Sequence, residues 1–214
     1  MLVTKQAPDF KATAIMPDNN FKDISISDYR GKKVVLFFYP QDFTFVCPTE
    51  MLAFDKRLND FKDRNTEVIG CSVDNKWIHH AWKNTDVNKG GIGNVAYPII
   101  ADIDKSIARA YDVLIGADEA TVLTNDEEIN TSIGGTIAIR GSFLIDEDGV
   151  VRHAVLNDLP LGRNIDEMLR MIDALAHNQK HGEVCPAGWQ EGKDAMAESP
   201  DGVSKYLSDH STNL

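Results

Sequence analysis

The chain has 214 residues, a length that predicts one domain with an appendage. Hydrophobic residues make up 43% and charged residues 26%, a composition typical of a soluble globular protein. Its net charge of −11 argues against nucleic acid and anionic membranes as partners, because neither would attract it. No apolar run approaches the ~18 residues of a membrane span, and the first residues lack the apolar core of a secretory signal. We therefore expect a cytoplasmic protein whose thiols stay reduced.

Apolar runs of strand length alternate with helical patterns along the first half of the chain. The run at 32–40 is continuous, rich in β-branched and aromatic residues, and ended by a proline, which is typical of a buried central strand. Directly after it, apolar residues recur with the spacing of an amphipathic helix. This half predicts strands at 32–40, 66–74 and 97–102 and helices at 47–63, 75–85 and 104–113, the last opened by Asp104.

The second half predicts a hairpin and a long helix. Residues 140–157 alternate in polarity around Asp148-Gly149, which is a strong hairpin signal. Residues 164–179 have the pattern of an amphipathic helix. Because strands and helices alternate before a closing hairpin and helix, we predict an α/β fold with a thioredoxin-like mixed sheet flanked by helices.

The hydrophobic periodicity breaks near Lys180. The residues after it carry glycine and proline and few regularly spaced apolar side chains. We therefore predict an extended C-terminal arm that lies on another surface, such as that of a partner subunit. The predicted organisation is a thioredoxin-like domain at 1–179 and the arm at 180–214.

Two of the three cysteines, Cys47 and Cys185, stand in the same tripeptide, Val-Cys-Pro. With proline at about 5% of residues, two given cysteines are both followed by proline by chance in about one case in 400. Cys47 follows the predicted strand at 32–40, at the sheet edge where α/β proteins place their sites. The alternative to a functional role is that Cys47 is a small buried hydrophobic residue beside a proline that opens the helix. Cys71, within an apolar strand, is predicted to be a packed core residue.

Two helix starts are compatible with the sequence around Cys47. If Cys47 is the N-cap, Pro48 takes the first helical position and Glu50 that of a capping-box acid. If Thr44 is the N-cap, Cys47 lies in the first turn, and Pro48 removes a backbone bond, which leaves that turn weakly held. Either start favours the thiolate over the thiol through the helix dipole.

Full activation of Cys47 needs a cation that the fold brings in, because none stands near it in the sequence. We predict Arg140, at the head of the hairpin strand, as the first candidate and Arg163 as the second. A metal is not expected, since no C-x-x-C or H-E-x-x-H spacing occurs and the adjacent His79 and His80 would diverge on a helix.

Two long motifs resemble one protein family. Residues 39–50, YPQDFTFVCPTE, resemble the active-site signature P-x-x-x-[ST]-x-x-C of peroxiredoxins. Residues 182–192, GEVCPAGWQEG, resemble the C-terminal segment of the typical 2-Cys group, which includes the alkyl hydroperoxide reductase C proteins. The resemblance extends over nearly the whole chain.

This resemblance implies a thioredoxin fold and a thiol-dependent peroxidase that reduces hydrogen peroxide and organic hydroperoxides. Cys47 would become a sulfenic acid, and Cys185 of the neighbouring subunit would resolve it to a disulfide. Thioredoxin or a flavoprotein disulfide reductase would reduce that disulfide. No metal or organic cofactor is implied, and the subunits would form a homodimer that assembles to a decameric ring.

The resemblance also implies roles for five residues around the reactive sulfur. Pro40 would shield the thiolate, and Thr44 and Arg140 would hydrogen-bond the thiolate and the peroxide oxygens. Glu50 and Arg163 would orient Arg140.

Two features depart from the family pattern. The segment 113–141 is longer than the family's usual link and carries five acids, Asp118, Glu119, Asp126, Glu127 and Glu128. Such a loop costs little free energy, yet it is a place where a contact between subunits or a reductase site could differ. The residues GGIG at 90–93 and Tyr206-Leu207 approximate two motifs of hyperoxidation-sensitive members and match neither.

There are two rival functions, one enzymatic and one from another class. A thioredoxin-type disulfide oxidoreductase is disfavoured by the absence of C-x-x-C. A holdase chaperone built from stacked rings is compatible with the resemblance as a second role.

Overall fold

The computed structural model describes residues 1–116, 120–123, 128–131 and 135–213. Its strands are β1 (Ala12–Ile15), β2 (Phe21–Ile24), β3 (Lys33–Phe38), β4 (Thr66–Ser72), β5 (Ile99–Ala101), β6 (Leu114–Ile115), β7 (Ala120–Leu123), β8 (Glu128–Thr131), β9 (Ile137–Ala138), β10 (Arg140–Ile145) and β11 (Val151–Asn157). Its α-helices are α1 (Cys47–Lys56), α2 (Leu58–Asp63), α3 (Lys76–Lys83), α4 (Ser106–Ala110), α5 (Ile165–His181) and α6 (Pro200–His210). Short 3₁₀ helices lie at Ile26–Tyr29, Val87–Lys89 and Ser211–Asn213.

The chain divides into two compact units, Met1–Arg163 and Asn164–Leu214. The organisation predicted from the sequence, with a domain at 1–179 and an arm at 180–214, stays a prediction.

Seven strands of the first unit form one mixed sheet, in the order β11-β10-β3-β4-β5-β1-β2. The pairs β3–β4 and β4–β5 are parallel, and all other neighbours in this sheet are antiparallel. Helix α2 packs on β4, and α3 packs on β1 and β5. The predicted thioredoxin-like mixed sheet flanked by helices is therefore confirmed.

The central strand β3 is buried along its whole length, as its continuous apolar sequence predicts. On one face of the sheet, Phe38 contacts Tyr111 and Phe143, with ring centroids 5.3 Å and 5.9 Å away. On the other face, Phe37 stacks on Phe54 of α1 at 4.2 Å. Aromatic packing of this kind fixes the helix that follows β3 against the sheet.

The predicted hairpin is confirmed as the antiparallel pair β10–β11. Its turn favours glycine at position 149, because Gly149 has φ +80°, a conformation that residues with a Cβ atom rarely adopt.

The prediction that Asp104 opens a helix is only partly right. Its Oδ1 accepts a hydrogen bond from the Ser106 N–H at 3.0 Å. The next free N–H groups, those of Ile107 and Ala108, instead donate to the Asp102 carboxylate at 3.0 Å and 2.8 Å. The carboxylate of Asp102, which directly follows β5, thus accepts from two N–H groups in the first turn of α4, whose N-cap residue is Lys105.

Two of the elements that have no counterpart in the sequence predictions lie towards the ends of the chain. One is the N-terminal hairpin β1–β2, whose strands have only four residues each. The other is α6, in the region predicted to be an extended C-terminal arm. Ser199 caps α6 by accepting a hydrogen bond from the Gly202 N–H, and Pro200 takes the first helical position. That Ser-Pro pair is a typical helix start, so the beginning of α6 could have been predicted from it.

The long segment 113–141 is described only in part. Residues Asp118, Glu119, Asp126 and Glu127 lie outside the described residues, as do any contacts they make. Within the described part, β7 pairs with β8 and β6 pairs with β9, both antiparallel.

Candidate active site

Cys47 is the first residue of α1 and is completely buried. The N-cap is Val46, so neither of the two predicted helix starts is realised, although the observed start lies one residue from the first of them. Thr44 lies outside the helix, and Pro48 takes the second helical position, where its missing N–H costs no helical bond. The weakly held extra turn predicted between Thr44 and Pro48 is therefore absent from the structure.

The side chain of Arg140 reaches the sulfur of Cys47. Its Nη1 lies 3.4 Å from Sγ, and both side chains are buried. The same guanidinium donates from Nε to the Leu159 carbonyl oxygen at 2.7 Å. The first candidate cation predicted from the sequence is thus in contact with Cys47.

Glu50 joins two arginines behind the sulfur. Its Oε2 accepts from Nη1 of Arg140 at 2.7 Å and from Nη2 of Arg163 at 2.8 Å. Its Oε1 accepts from the Arg163 backbone N–H at 2.9 Å and from Nε at 3.0 Å. The carboxylate is occupied by the two guanidinium groups, so the predicted capping-box role of Glu50 is wrong.

Arg163 is held in place from all sides. Its Nη1 donates to the carbonyl oxygens of Phe38 at 2.7 Å and Gly141 at 2.9 Å, and its guanidinium lies over the Phe37 ring. Burial lowers the pKa of Arg163, and the Glu50 carboxylate opposes that shift. The group is a fixed support for the cluster rather than a mobile surface charge.

The charges in this cluster favour a thiolate. Arg140 and Arg163 bring two positive charges into a buried site, and Glu50 neutralises one of them. Burying an uncompensated charge is costly. One negative charge on the Cys47 sulfur, beside Arg140, would bring the sum of these charges to zero.

Thr44 and Pro40 occupy the segment that leads to Cys47. Pro40 follows β3 and is buried. The Thr44 hydroxyl donates to the Gln41 carbonyl oxygen at 2.8 Å. The roles predicted for these two residues stay predictions.

A buried polar network lies beneath that segment and was not predicted from the sequence. Asp42 accepts from the Tyr39 hydroxyl at 2.7 Å, and its other oxygen lies 2.7 Å from Nδ1 of His79. Nε2 of His79 faces the Ile100 carbonyl oxygen at 3.2 Å. The network anchors the start of a segment whose Phe45 is 94% exposed. The sequence offers no signal for it, because it joins residues from three separate elements.

The other two cysteines differ from Cys47 in their surroundings. Cys71 is completely buried in β4, as predicted, and burial together with the Asp102 charge raises the pKa of its thiol. Cys185 lies in the second compact unit, where its sulfur contacts the Ala174 carbonyl oxygen at 3.5 Å. All three cysteines are free thiols in the structure.

No cluster of three or more metal-binding side chains occurs among the residues that the structure describes. Within the same ranges, no helix is both long enough and apolar enough to span a bilayer.

Comparison with known proteins shows similarity along the whole chain. The family model described as AhpC/TSA matches residues 3–154, and the C-terminal domain of 1-Cys peroxiredoxin matches residues 174–209. Alkyl hydroperoxide reductase C of Helicobacter pylori strain J99 is 54% identical, with 100% of both chains covered. Peroxiredoxin-1 of Gallus gallus is 48% identical and covers 96% of this chain and 95% of its own.

Solved structures agree with these relatives. Reduced 2-Cys peroxiredoxin of Plasmodium vivax matches with a TM-score of 0.86 and 46% identity, covering 97% of this chain and 99% of its own. The fold and these relatives define an enzyme of the peroxiredoxin class, a thiol peroxidase. Within that class, the chain belongs to the AhpC/TSA family.

Proposed function

We propose that the chain reduces hydrogen peroxide and organic hydroperoxides through Cys47 and Cys185. The observation that carries this proposal is the 3.4 Å contact between Arg140 Nη1 and the buried sulfur of Cys47. A guanidinium in that position stabilises a thiolate. It can also donate to the peroxide oxygen on which negative charge develops during attack.

In the first step, the Cys47 thiolate attacks one oxygen of the O–O bond. That bond breaks, the sulfur becomes a sulfenic acid, and the other oxygen leaves as an alkoxide or hydroxide that takes a proton. In the second step, the Cys185 thiolate of a neighbouring protomer attacks the sulfenic sulfur. The S–O bond breaks, and the departing hydroxide takes a proton to give water.

Reaching the disulfide requires a local rearrangement, because Cys47 is completely buried. The moving part in this proposal is the non-helical segment 41–46, whose Phe43 and Phe45 are exposed. The missing backbone bond expected from the sequence does not contribute, since Pro48 interrupts no helical hydrogen bond in the observed geometry.

The partners of the reaction follow from the same proposal. Thioredoxin or a flavoprotein disulfide reductase reduces the Cys47–Cys185 disulfide. The protomers form a homodimer with two equivalent disulfides related by two-fold symmetry, and dimers assemble to a decameric ring. The enzyme acts in the cytoplasm, in antioxidant defence and redox homeostasis.

Non-reducing gels test the disulfide arrangement. Peroxide-treated protein is expected to run as a dimer, and Cys185→Ser is expected to leave Cys47 as a sulfenic acid that dimedone traps. A disulfide-bonded monomer would overturn the intersubunit arrangement and indicate resolution within one chain.

The reductant and the rival enzyme class are tested together. Peroxide consumption is measured with thioredoxin and, separately, with a flavoprotein reductase. Reduction of insulin without consumption of peroxide would instead indicate a thioredoxin-type disulfide oxidoreductase.

A further inference from the structure

Residues 185–189, here named the resolving turn, fold back on helix α5 within the second compact unit. The Trp189 N–H donates to the Pro186 carbonyl oxygen at 3.1 Å, which closes the turn. The Trp189 indole is 3% exposed, and its ring lies 4.9 Å from that of His177 on α5. The sulfur of Cys185 contacts the Ala174 carbonyl oxygen of the same helix at 3.5 Å.

Arg170 of α5 binds the far end of this turn. Its Nη1 donates to the Trp189 carbonyl oxygen at 2.8 Å. The opposite edge of the guanidinium is held by Glu167, through Nε at 2.6 Å and Nη2 at 2.7 Å. Such a bidentate pair fixes the orientation of an arginine, so Nη1 is directed at the turn.

The two ends of the resolving turn meet the same face of the helix. Arg170 and Ala174 are four residues apart, so the Arg170 side chain and the Ala174 carbonyl oxygen belong to adjacent turns of α5. Arg170 holds Trp189 there and Ala174 receives Cys185, which brings the guanidinium charge and the thiol to one surface.

The charges around Cys185 oppose one another. Burial raises the pKa of the Cys185 thiol above its ordinary value, Arg170 lowers it, and Glu183 raises it further. Oε2 of Glu183 lies 2.9 Å from Nε2 of His177, and the His181 ring lies against that of His177. Arg170 is therefore the group that counteracts both effects that disfavour the thiolate.

We propose that Arg170 is a positioning residue for the resolving step: it fixes the resolving turn on α5 and stabilises the Cys185 thiolate that attacks the sulfenic acid. This inference rests on the proposed function, in which the Cys185 thiolate forms the S–S bond and hydroxide leaves from Cys47. Arg170 touches neither the peroxide nor Cys47 in this proposal, so the peroxide step is independent of it.

Rapid mixing of reduced protein with peroxide separates the two steps. Quenching with dimedone and with a thiol-alkylating reagent gives the rates of sulfenic acid formation and of disulfide formation over a range of pH. In Arg170→Met, sulfenic acid formation is expected to be unchanged. Disulfide formation at neutral pH is expected to slow between about three- and tenfold, and its pH profile is expected to move to higher pH.

Two further variants sharpen this test. Arg170→Lys keeps the positive charge and is expected to restore the pH profile, although it cannot hold Glu167 and Trp189 in the same geometry. Lys180→Met removes one charge from the exposed end of the same helix and is expected to leave both the rate and the profile unchanged.

The possible results distinguish a failure of this inference from a failure of the proposed function on which it rests. An unmoved pH profile in Arg170→Met, at whatever rate, overturns the inference, because a purely structural role lowers the rate equally at every pH. A profile that Arg170→Lys does not restore overturns it as well. Disulfide formation that persists in Cys185→Ser overturns the proposed function itself.

Discussion

Nη1 of Arg140 donates to Oε2 of Glu50 across 2.7 Å, and the same nitrogen lies 3.4 Å from the sulfur of Cys47. One edge of a buried guanidinium therefore serves both a carboxylate and a thiol. The carboxylate holds the arginine in place before any substrate arrives, so the charge beside the sulfur is already positioned.

Replacement of each buried cysteine distinguishes the reactive thiol from a packed one. Cys47→Ser is expected to abolish peroxide turnover, because the thiol at the start of α1 beside Arg140 is lost. Cys71→Ser is expected to keep most of the turnover, since burial raises the pKa of that thiol and keeps it protonated. Peroxide consumption in the presence of a reductant measures both. Comparable losses in the two variants would contradict the assignment.

Removal of the Arg140 charge should slow the peroxide step. Arg140→Met is expected to slow the oxidation of Cys47 by peroxide, and the alkylation of Cys47 at neutral pH, by more than about tenfold. A tenfold change corresponds to about 1.4 kcal/mol in the activation barrier. The physical reason is the loss of the only guanidinium that hydrogen-bonds the sulfur within the described residues. Arg30→Met, at an exposed position, is the control and should leave both rates unchanged. Equal rates in the two variants would exclude Arg140 as the activating charge.

The Glu50 carboxylate should matter for stability as well as for orientation. Glu50→Gln leaves two buried guanidinium groups without their shared anion, and breaking a buried ion pair costs about 3–5 kcal/mol. Urea unfolding measures the change in unfolding free energy. Glu67→Gln is the control, because its pair with Lys32 is partly exposed and worth at most about 1 kcal/mol. Similar losses in both variants would show that the buried cluster contributes no special stability.

Lys83 should give stability an unusual pH dependence. Its Nζ donates to the Met16 carbonyl oxygen at 2.8 Å in a site that is 2% exposed, and burial lowers its pKa from 10.5 to about 8. Between these two pH values the unfolded chain binds a proton that the folded chain has lost. The unfolding free energy therefore rises with pH in that window, and the full cost of burying the charge is present only below it.

Comparison with Lys83→Met isolates this contribution. Buried tyrosines, whose own ionisation opposes folding at high pH, are common to both proteins and cancel in the difference. From about pH 7.5 to about pH 10, the unfolding free energy of the natural chain should rise relative to the variant by more than about 1 kcal/mol. A difference that is constant across this range would show that Lys83 titrates normally.

Several local elements of this protein could be predicted from its sequence alone. The apolar runs of β3 and β4, the Asp-Gly turn of the β10–β11 hairpin and the periodic face of α5 are patterns of neighbouring residues, and the structure confirms each of them. The same reasoning placed Cys71 in the core. It missed α6, although a Ser-Pro start was readable at residues 199 and 200.

The groups that meet at the Cys47 sulfur are brought together only by the tertiary fold. Arg140 is 93 residues from Cys47, and Arg163 is 113 residues from Glu50, so no local pattern specifies their contacts. The sheet also determines where α1 starts, at Cys47. It likewise determines that the Glu50 carboxylate pairs with two arginines. The physical reason is that β3 and β10 pair side by side, which brings the head of the hairpin strand to the helix that follows β3. Propensity acts between neighbours in sequence, whereas the charges that activate a thiol act between neighbours in space.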